Sequence, residues 1–136
     1  MFRRFLRRSR QQNGQSLVEF TLVVPLLLLS LVGISDLGRV MYYYVAISNA
    51  CVEGARQATN PLSSDASIRT AVQDESSPLI TIASSDITIS PSPMRTAGQP
   101  VTVTARYRFT AVTPLISRIW GGGSLVIQSS TTMMVQ

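Results

Sequence analysis

The strongest pattern in this chain is a long apolar run close to the N-terminus. Residues 20–35 contain no charged side chain, and widening the window to residues 17–37 brings in only Glu19 and Asp36, near its two ends. At about 1.5 Å per residue, a helix over this window is about 32 Å long, enough to cross the hydrocarbon core of a bilayer. The run therefore predicts a transmembrane helix, and we expect a kink at Pro25 because proline removes a backbone donor.

The helical pattern continues beyond the apolar run. Small residues recur every four positions, which places them on one helical face, and we refer to them as the small-residue face: Ala46, Ala50, Gly54 and Ala58. Small side chains let another backbone approach closely. That other backbone could belong to this chain's own outer domain or to a helix of a neighbouring subunit, and the pattern leaves both open. We expect one helix from Ser16 to Thr59 that ends at Asn60 and Pro61.

The C-terminal part of the chain predicts a short helix and three strands. Ser63 and Ser64 precede a helical segment whose buried stripe would be Ile68, Ala71 and Val72. Strands are expected at residues 87–89, 101–109 and 124–135, and the second alternates strictly between apolar and polar side chains. A short apolar connection over residues 114–120 and a glycine hinge at residues 121–123 would precede the last strand.

These elements together predict an α+β fold. Three strands are unstable without cover, and the outer part of the long helix and the short helix can supply it. We therefore expect a long N-terminal helix, membrane-spanning and then extracytoplasmic, packed on a short helix and a three-stranded antiparallel sheet. The predicted divisions are a basic cytoplasmic leader (1–14), a transmembrane helix (15–38), an extracytoplasmic helical spine (39–60) and a small α+β outer domain (61–136).

The distribution of charge predicts the orientation in the membrane. The formal net charge is +5, and the first ten residues hold five arginines and no acid: Arg3, Arg4, Arg7, Arg8 and Arg10. Basic residues beside an apolar run remain in the cytoplasm, so the C-terminal domain is expected outside the cytoplasmic membrane. Membrane lipid is thus an expected partner. Nucleic acid is not, because no aromatic residues are interleaved with these arginines.

The composition argues against an enzyme. The chain has no histidine, the commonest metal ligand and general base, and its single cysteine, Cys51, cannot form an internal disulfide. Cys51 lies in a helical stretch of small residues, so a packed thiol is expected. Serines and threonines are numerous, but none has a base positioned to activate it. We predict no catalytic residue, no metal site and no cofactor.

Gly14 and Glu19 suggest processing at the membrane. Gly14 follows the basic leader, and Glu19 is a carboxylate at the start of the apolar helix. Glycine has no side chain to obstruct a protease site. A secretory signal peptide is a poorer explanation because the apolar run is too long and no small-residue cleavage site follows it. A twin-arginine signal matches weakly, and an uncleaved signal anchor is the main alternative.

The same residues resemble a known family. The resemblance covers GQSLVEF at residues 14–20, the leucine-rich run, LGR at 37–39 and SNACVEGAR at 48–56, and it is looser beyond residue 58. In these features the chain resembles the TadE-like proteins, minor pseudopilins of the Flp/Tad type IV pilus system. The resemblance implies a pilin-like fold and a structural role in assembling an adhesive pilus.

The resemblance also implies roles for particular residues. A prepilin peptidase would cleave after Gly14, so Gln15 would become the mature N-terminus and Glu19 the fifth mature residue. Phe20 stands where the major pilins of this system usually carry tyrosine, which points away from the main filament subunit. Glu19 would pair with the amine of a neighbouring pilin or pseudopilin, or would lie shallow and reach the headgroups. The alternative function is an uncleaved single-pass adaptor of a secretion or pilus complex, for which Gly14 has no role.

Overall fold

A computed structural model describes residues 8–111 and 124–136, with side chains from residue 14 onward. Its elements, in chain order, are α1 (Arg8–Ala58), α2 (Asp65–Ser76), a 3₁₀ turn (Ser84–Asp86), β1 (Ile87–Ser90), β2 (Pro100–Thr110) and β3 (Ser124–Met134). The predicted α+β fold, with a long helix, a short helix and a three-stranded antiparallel sheet, is confirmed. The predicted apolar connection and glycine hinge, residues 114–123, lie outside the described residues, as do leader residues 1–7.

The helix α1 is one continuous element of 51 residues. It begins at Arg8 rather than at Ser16, so our predicted start was wrong by two turns. Arginine and glutamine are good helix formers, and an isolated glycine is tolerated in a long helix, so the leader extends α1 rather than interrupting it. The helix also continues through Pro25, and the kink there stays a prediction.

The helix α2 begins where its capping residue predicts. Ser64 is the N-cap, and its hydroxyl accepts a hydrogen bond from the backbone N–H of Ser67 at 3.1 Å. The buried residues of α2 are Ile68, Val72 and Ser76, which follow one another at intervals of four. Ala71, which we expected in the buried stripe, is only half-buried because it lies beside this line and not on it.

The sheet has the order β1-β2-β3, and both pairings are antiparallel. β2 is therefore the central strand, and its alternation of polar and apolar residues decides which face is covered. Its buried side chains are Val101, Val103, Ala105 and Phe109. They face α1 and α2, and the core of the outer domain lies between these helices and the sheet.

The strand β2 runs back along α1 toward its apolar half. Val103 lies beside Gly54, whereas Phe109 packs against Tyr43 with ring centroids 5.8 Å apart. Successive positions along β2 thus approach progressively earlier residues of α1. The C-terminal end of β2 consequently lies at the level where α1 leaves its apolar run.

Candidate processing and assembly surface of the long helix

The predicted processing site lies on an open stretch of helix. Gly14 is exposed, and a Cβ added there would meet no atom within 4 Å. The packing of this chain therefore does not require glycine at this position. Glycine is about 1 kcal/mol less favourable than alanine inside a helix, so α1 is locally weakened where the backbone would have to open for cleavage.

The structure brings Gln15 and Glu19 together on one face of α1. The Gln15 amide Nε2 donates a hydrogen bond of 3.1 Å to Glu19 Oε1, across one helical turn. Both residues and Phe20 are exposed. Among the described residues, no cationic side chain lies within 4.0 Å of the Glu19 carboxylate. In the single chain the carboxylate therefore has a neutral amide partner in place of a charged one.

The apolar half of α1 is not covered by the rest of the chain. Its exposed residues include Leu17, Val18, Phe20, Leu22, Val23, Leu26, Leu27, Leu28, Leu29, Leu31, Val32, Ile34 and Leu37. Across the described residues, one helix is long and apolar enough to cross a membrane, and its most apolar window has no buried residue. Such a large exposed apolar surface requires lipid or protein cover. This half of α1 is a candidate membrane anchor.

The small-residue face lies against this chain's own outer domain. Ala50 and Ala58 have no exposed surface, and Ala46 and Gly54 are also buried. A Cβ added to Gly54 would lie 2.4 Å from Val72 Cγ2, so the missing side chain is what lets α2 approach α1 this closely. A contact between subunits through this face stays a prediction, and these four positions are already occupied within the chain.

Tyr43 differs from its two neighbours in a way the sequence did not reveal. Three tyrosines at residues 42–44 follow the apolar run, where aromatic rings are favoured at a membrane boundary. Tyr42 and Tyr44 are indeed exposed, but the Tyr43 ring is half-buried and packs edge to face on Tyr107 at 5.6 Å. Tyr43 therefore packs within the chain, because this side of α1 faces the end of β2.

A buried acid lies where α1 leaves its apolar run. Asp36 is only 2% exposed, and Arg39 Nη1 lies 3.4 Å from its Oδ1. The Arg39 guanidinium also donates to the Tyr43 hydroxyl at 3.4 Å and lies over the Phe109 ring, 5.3 Å from its centroid. A buried carboxylate is costly unless it is paired. The i, i+3 spacing was the available signal for this pair. The burial of Asp36 was not visible in the sequence.

Cys51 is a packed thiol. It has no exposed surface, and its Sγ donates to the Ser129 carbonyl oxygen at 3.3 Å. Burial raises the pKa of the Cys51 thiol, although its hydrogen bonds partly offset that effect. Within residues 14–111 and 124–136, no three histidine, cysteine or acidic side chains are arranged to hold a metal ion.

Comparison with known protein families gives a match to the helical N-terminal part of the chain. The family model described as TadE-like protein matches residues 14–56. No curated protein and no solved structure matches the chain. The matched residues begin at the glycine of the predicted cleavage site and end near the outer end of α1. Over this segment, which contains Gly14, Glu19 and most of α1, the chain matches the TadE-like family, and the resemblance predicted from the sequence is confirmed.

Proposed function

We propose that this protein is a minor pseudopilin, a structural component needed to assemble an adhesive pilus of the Flp/Tad type. One observation carries the proposal: the TadE-like match begins at Gly14 and covers Glu19 on an exposed, apolar helix. The TadE-like segment associates the chain with the Flp/Tad pilus system and with a structural role, not an enzymatic one. The assignment as a minor pseudopilin depends on what leader cleavage does to the N-terminus.

Removal of the leader changes the chemistry around Glu19. Cleavage after Gly14 by a prepilin peptidase would leave a positively charged α-amine on Gln15, one helical turn from the carboxylate. A carboxylate within a helix bundle in lipid costs several kcal/mol if it has no partner. The Gln15 side chain supplies only a neutral hydrogen bond, whereas an ammonium group forms a charge-assisted bond that is about twice as strong.

The amine of a neighbouring subunit would satisfy Glu19 and fix the axial register of the two helices. The rest of the apolar half of α1 is exposed and available for contacts with lipid or with other pilins. Phe20 in place of tyrosine, and an outer domain that is large for this system, favour a minor subunit over the main filament protein. The five leader arginines support an orientation with the N-terminus in the cytoplasm and the outer domain beyond the cytoplasmic membrane.

A second function has one observation in its favour. The helix α1 runs without interruption from Arg8 through Gly14, as an uncleaved, single-pass membrane adaptor of a secretion or pilus complex would require. In that case the leader would remain a cytoplasmic extension of α1. Glu19 would then keep its Gln15 partner and have no role between subunits.

Substitution of Glu19 distinguishes the two functions. We expect Glu19→Ala to leave leader removal intact and to abolish piliation, because the acceptor for the neighbouring amine is lost. The matched control is Glu53→Ala, which removes a part-exposed carboxylate on the outer half of α1 that forms only a weak 3.9 Å pair with Arg56. Normal piliation with Glu19→Ala would overturn the pairing, and equal loss with both variants would show a general effect on the helix.

A further inference from the structure

Two arginines stand on the outer face of the sheet, at its membrane-facing end. Arg106 and Arg108 occupy the polar positions of β2, so they project from the face opposite α1, and both are exposed. Arg106 Nε donates to Gln128 Oε1 at 3.0 Å, which leaves its two terminal nitrogens available. Over the described part of the chain, neither guanidinium lies within 4.0 Å of a carboxylate.

The height of these arginines follows from the packing of β2 on α1. Phe109 adjoins Arg108 in sequence and contacts Arg39 and Tyr43. Arg39 and Tyr43 lie about 3–9 Å beyond Leu37, the last residue of the predicted membrane-spanning window 17–37, at about 1.5 Å per residue. The headgroup layer extends about 5–7 Å beyond the hydrocarbon core on each side. Phe109 therefore lies at the level of the headgroups, Arg108 lies about 3 Å farther out along the strand and Arg106 about 7 Å beyond Arg108. Both side chains would have to extend back toward the bilayer to reach a phosphate, as long basic side chains do.

Two further features match this level. Tyr42 and Tyr44 are exposed on α1 at the same height, where amphipathic rings are favoured. Arg106 and Arg108 also line an open, mostly polar cavity of about 340 Å³ beside the 3₁₀ turn, together with the hydroxyl-bearing residue Ser85. Asp86 is the single acid lining it, so two guanidinium groups against one carboxylate leave the cavity with a net positive charge.

We propose that Arg106 and Arg108 bind the phosphate of an anionic phospholipid headgroup and so seat the outer domain on the membrane surface. Guanidinium groups bind phosphate oxygens through paired, charge-assisted hydrogen bonds. Contact with the lipid would fix the rotation of the outer domain relative to the membrane, which α1 alone leaves free. This inference rests on the part of the proposed function that places α1 across the membrane, and it does not depend on leader cleavage.

The test measures lipid binding to the full chain in detergent by native mass spectrometry. The probes are phosphatidylglycerol and phosphatidylcholine, and the five leader arginines are replaced by glutamine in every sample so that they do not bind the anionic lipid. The variant is R106Q/R108Q. The matched control is R56Q, which removes an exposed arginine at the outer end of α1, far from the apolar run.

We expect phosphatidylglycerol to bind the R56Q control as tightly as it binds the parent chain. It should bind R106Q/R108Q about 25-fold more weakly, since each arginine at a membrane surface raises the affinity for anionic lipid about fivefold. Phosphatidylcholine should bind all three samples equally. Equal binding of phosphatidylglycerol to R106Q/R108Q and R56Q would overturn the proposal. Complete displacement by an equal concentration of glycerol phosphate would also overturn it, because it would reveal a site for a free anion. None of these readouts involves cleavage or piliation, so failure here is separate from failure of the proposed function.

Discussion

The tight contact between α1 and α2 can be tested by adding a single methyl group. The change is Gly54→Ala, and the new Cβ would lie 2.4 Å from Val72 Cγ2 and 3.3 Å from Val103 Cγ1. The first distance is too short for any van der Waals contact. Valine has a strongly preferred χ1 rotamer, so Val72 cannot easily turn its methyl away, and α2 must shift as a whole.

Two opposing effects determine the magnitude. Alanine is favoured over glycine inside a helix by about 1 kcal/mol. Overpacking of a well-packed core typically costs about 1–3 kcal/mol, and so short a contact belongs in the upper part of that range. We therefore expect Gly54→Ala to destabilise the outer domain by about 1–2 kcal/mol, which lowers Tm by roughly 4–8 °C per kcal/mol in a domain of this size.

The assay follows thermal unfolding of the full chain in detergent by near-ultraviolet circular dichroism, which reports the fixed packing of Tyr43 on Tyr107. The matched control is Gly38→Ala, on the same helix, where an added Cβ meets nothing within 4 Å. That variant should be no less stable than the parent. A double-mutant cycle with Val72→Ala then isolates the contact, because truncation of Val72 removes the clashing methyl.

In the Val72→Ala background, Gly54→Ala should be neutral or stabilising, with a coupling of at least 1 kcal/mol. The reasoning is refuted if Gly54→Ala alone is as stable as the parent chain. It is equally refuted if Gly54→Ala costs the same with and without the Val72 side chain, since the destabilisation would then come from somewhere other than the contact with α2.

Four further predictions concern the outer domain and the part of α1 that packs on it. Burial would raise the pKa of Asp65, but the Ser92 hydroxyl and the Arg95 guanidinium, whose Nη1 lies 2.6 Å from Oδ1, hold that pKa below its usual value. The outer domain should therefore have its full stability at neutral pH and lose stability below about pH 4, as thermal melts can measure. In the Asp65→Asn variant the melting temperature should depend less on pH. The same Asp65→Asn change should cost about 3 kcal/mol in chemical denaturation at pH 7, because the buried Arg95 guanidinium loses its carboxylate partner and keeps only the neutral Ser63 carbonyl oxygen. A loss under 1 kcal/mol would contradict this. Phe109→Ala should cost about 3–4 kcal/mol and shift the denaturation midpoint accordingly, since this fully buried ring joins β2 to α1. Cys51 should resist iodoacetamide in the folded chain and react only after denaturation, as mass spectrometry can follow; rapid labelling of the native protein would show that this thiol is not packed.

Local patterns were sufficient to predict most elements of the fold. The alternation of residues 101–109 identified the central strand, and Ser64 marked the start of α2 because a hydroxyl at the N-cap satisfies a free backbone donor. The start of α1 was missed because Gly14 looked like a boundary, whereas one glycine costs a long helix only about 1 kcal/mol. The position of the N-terminal end of α1 follows from the helix propensity of the whole segment and not from one residue.

In the candidate site, too, local features could be predicted from the sequence and distant contacts could not. The spacing of Gln15 and Glu19 is local, so their position on one helical face follows from the sequence alone. The packing of Tyr43 and Arg39 could not be predicted, because both contact Phe109, far along the chain on β2. A single sequence gives no signal for such a distant pairing. A contact between subunits is even harder to predict from one sequence, since its partner belongs to another molecule.

The most direct test of the central claim is the intact mass of the protein extracted from membranes of cells that make functional pili. If the protein is a processed pseudopilin, the mass will correspond to a chain that begins at Gln15, and Gly14→Leu will retain the leader while Gly38→Leu, on the same helix, will lose it normally. A chain that still begins at Met1 in piliated cells would contradict the account, because no Gln15 amine would then be present on a neighbouring subunit to donate a hydrogen bond to Glu19.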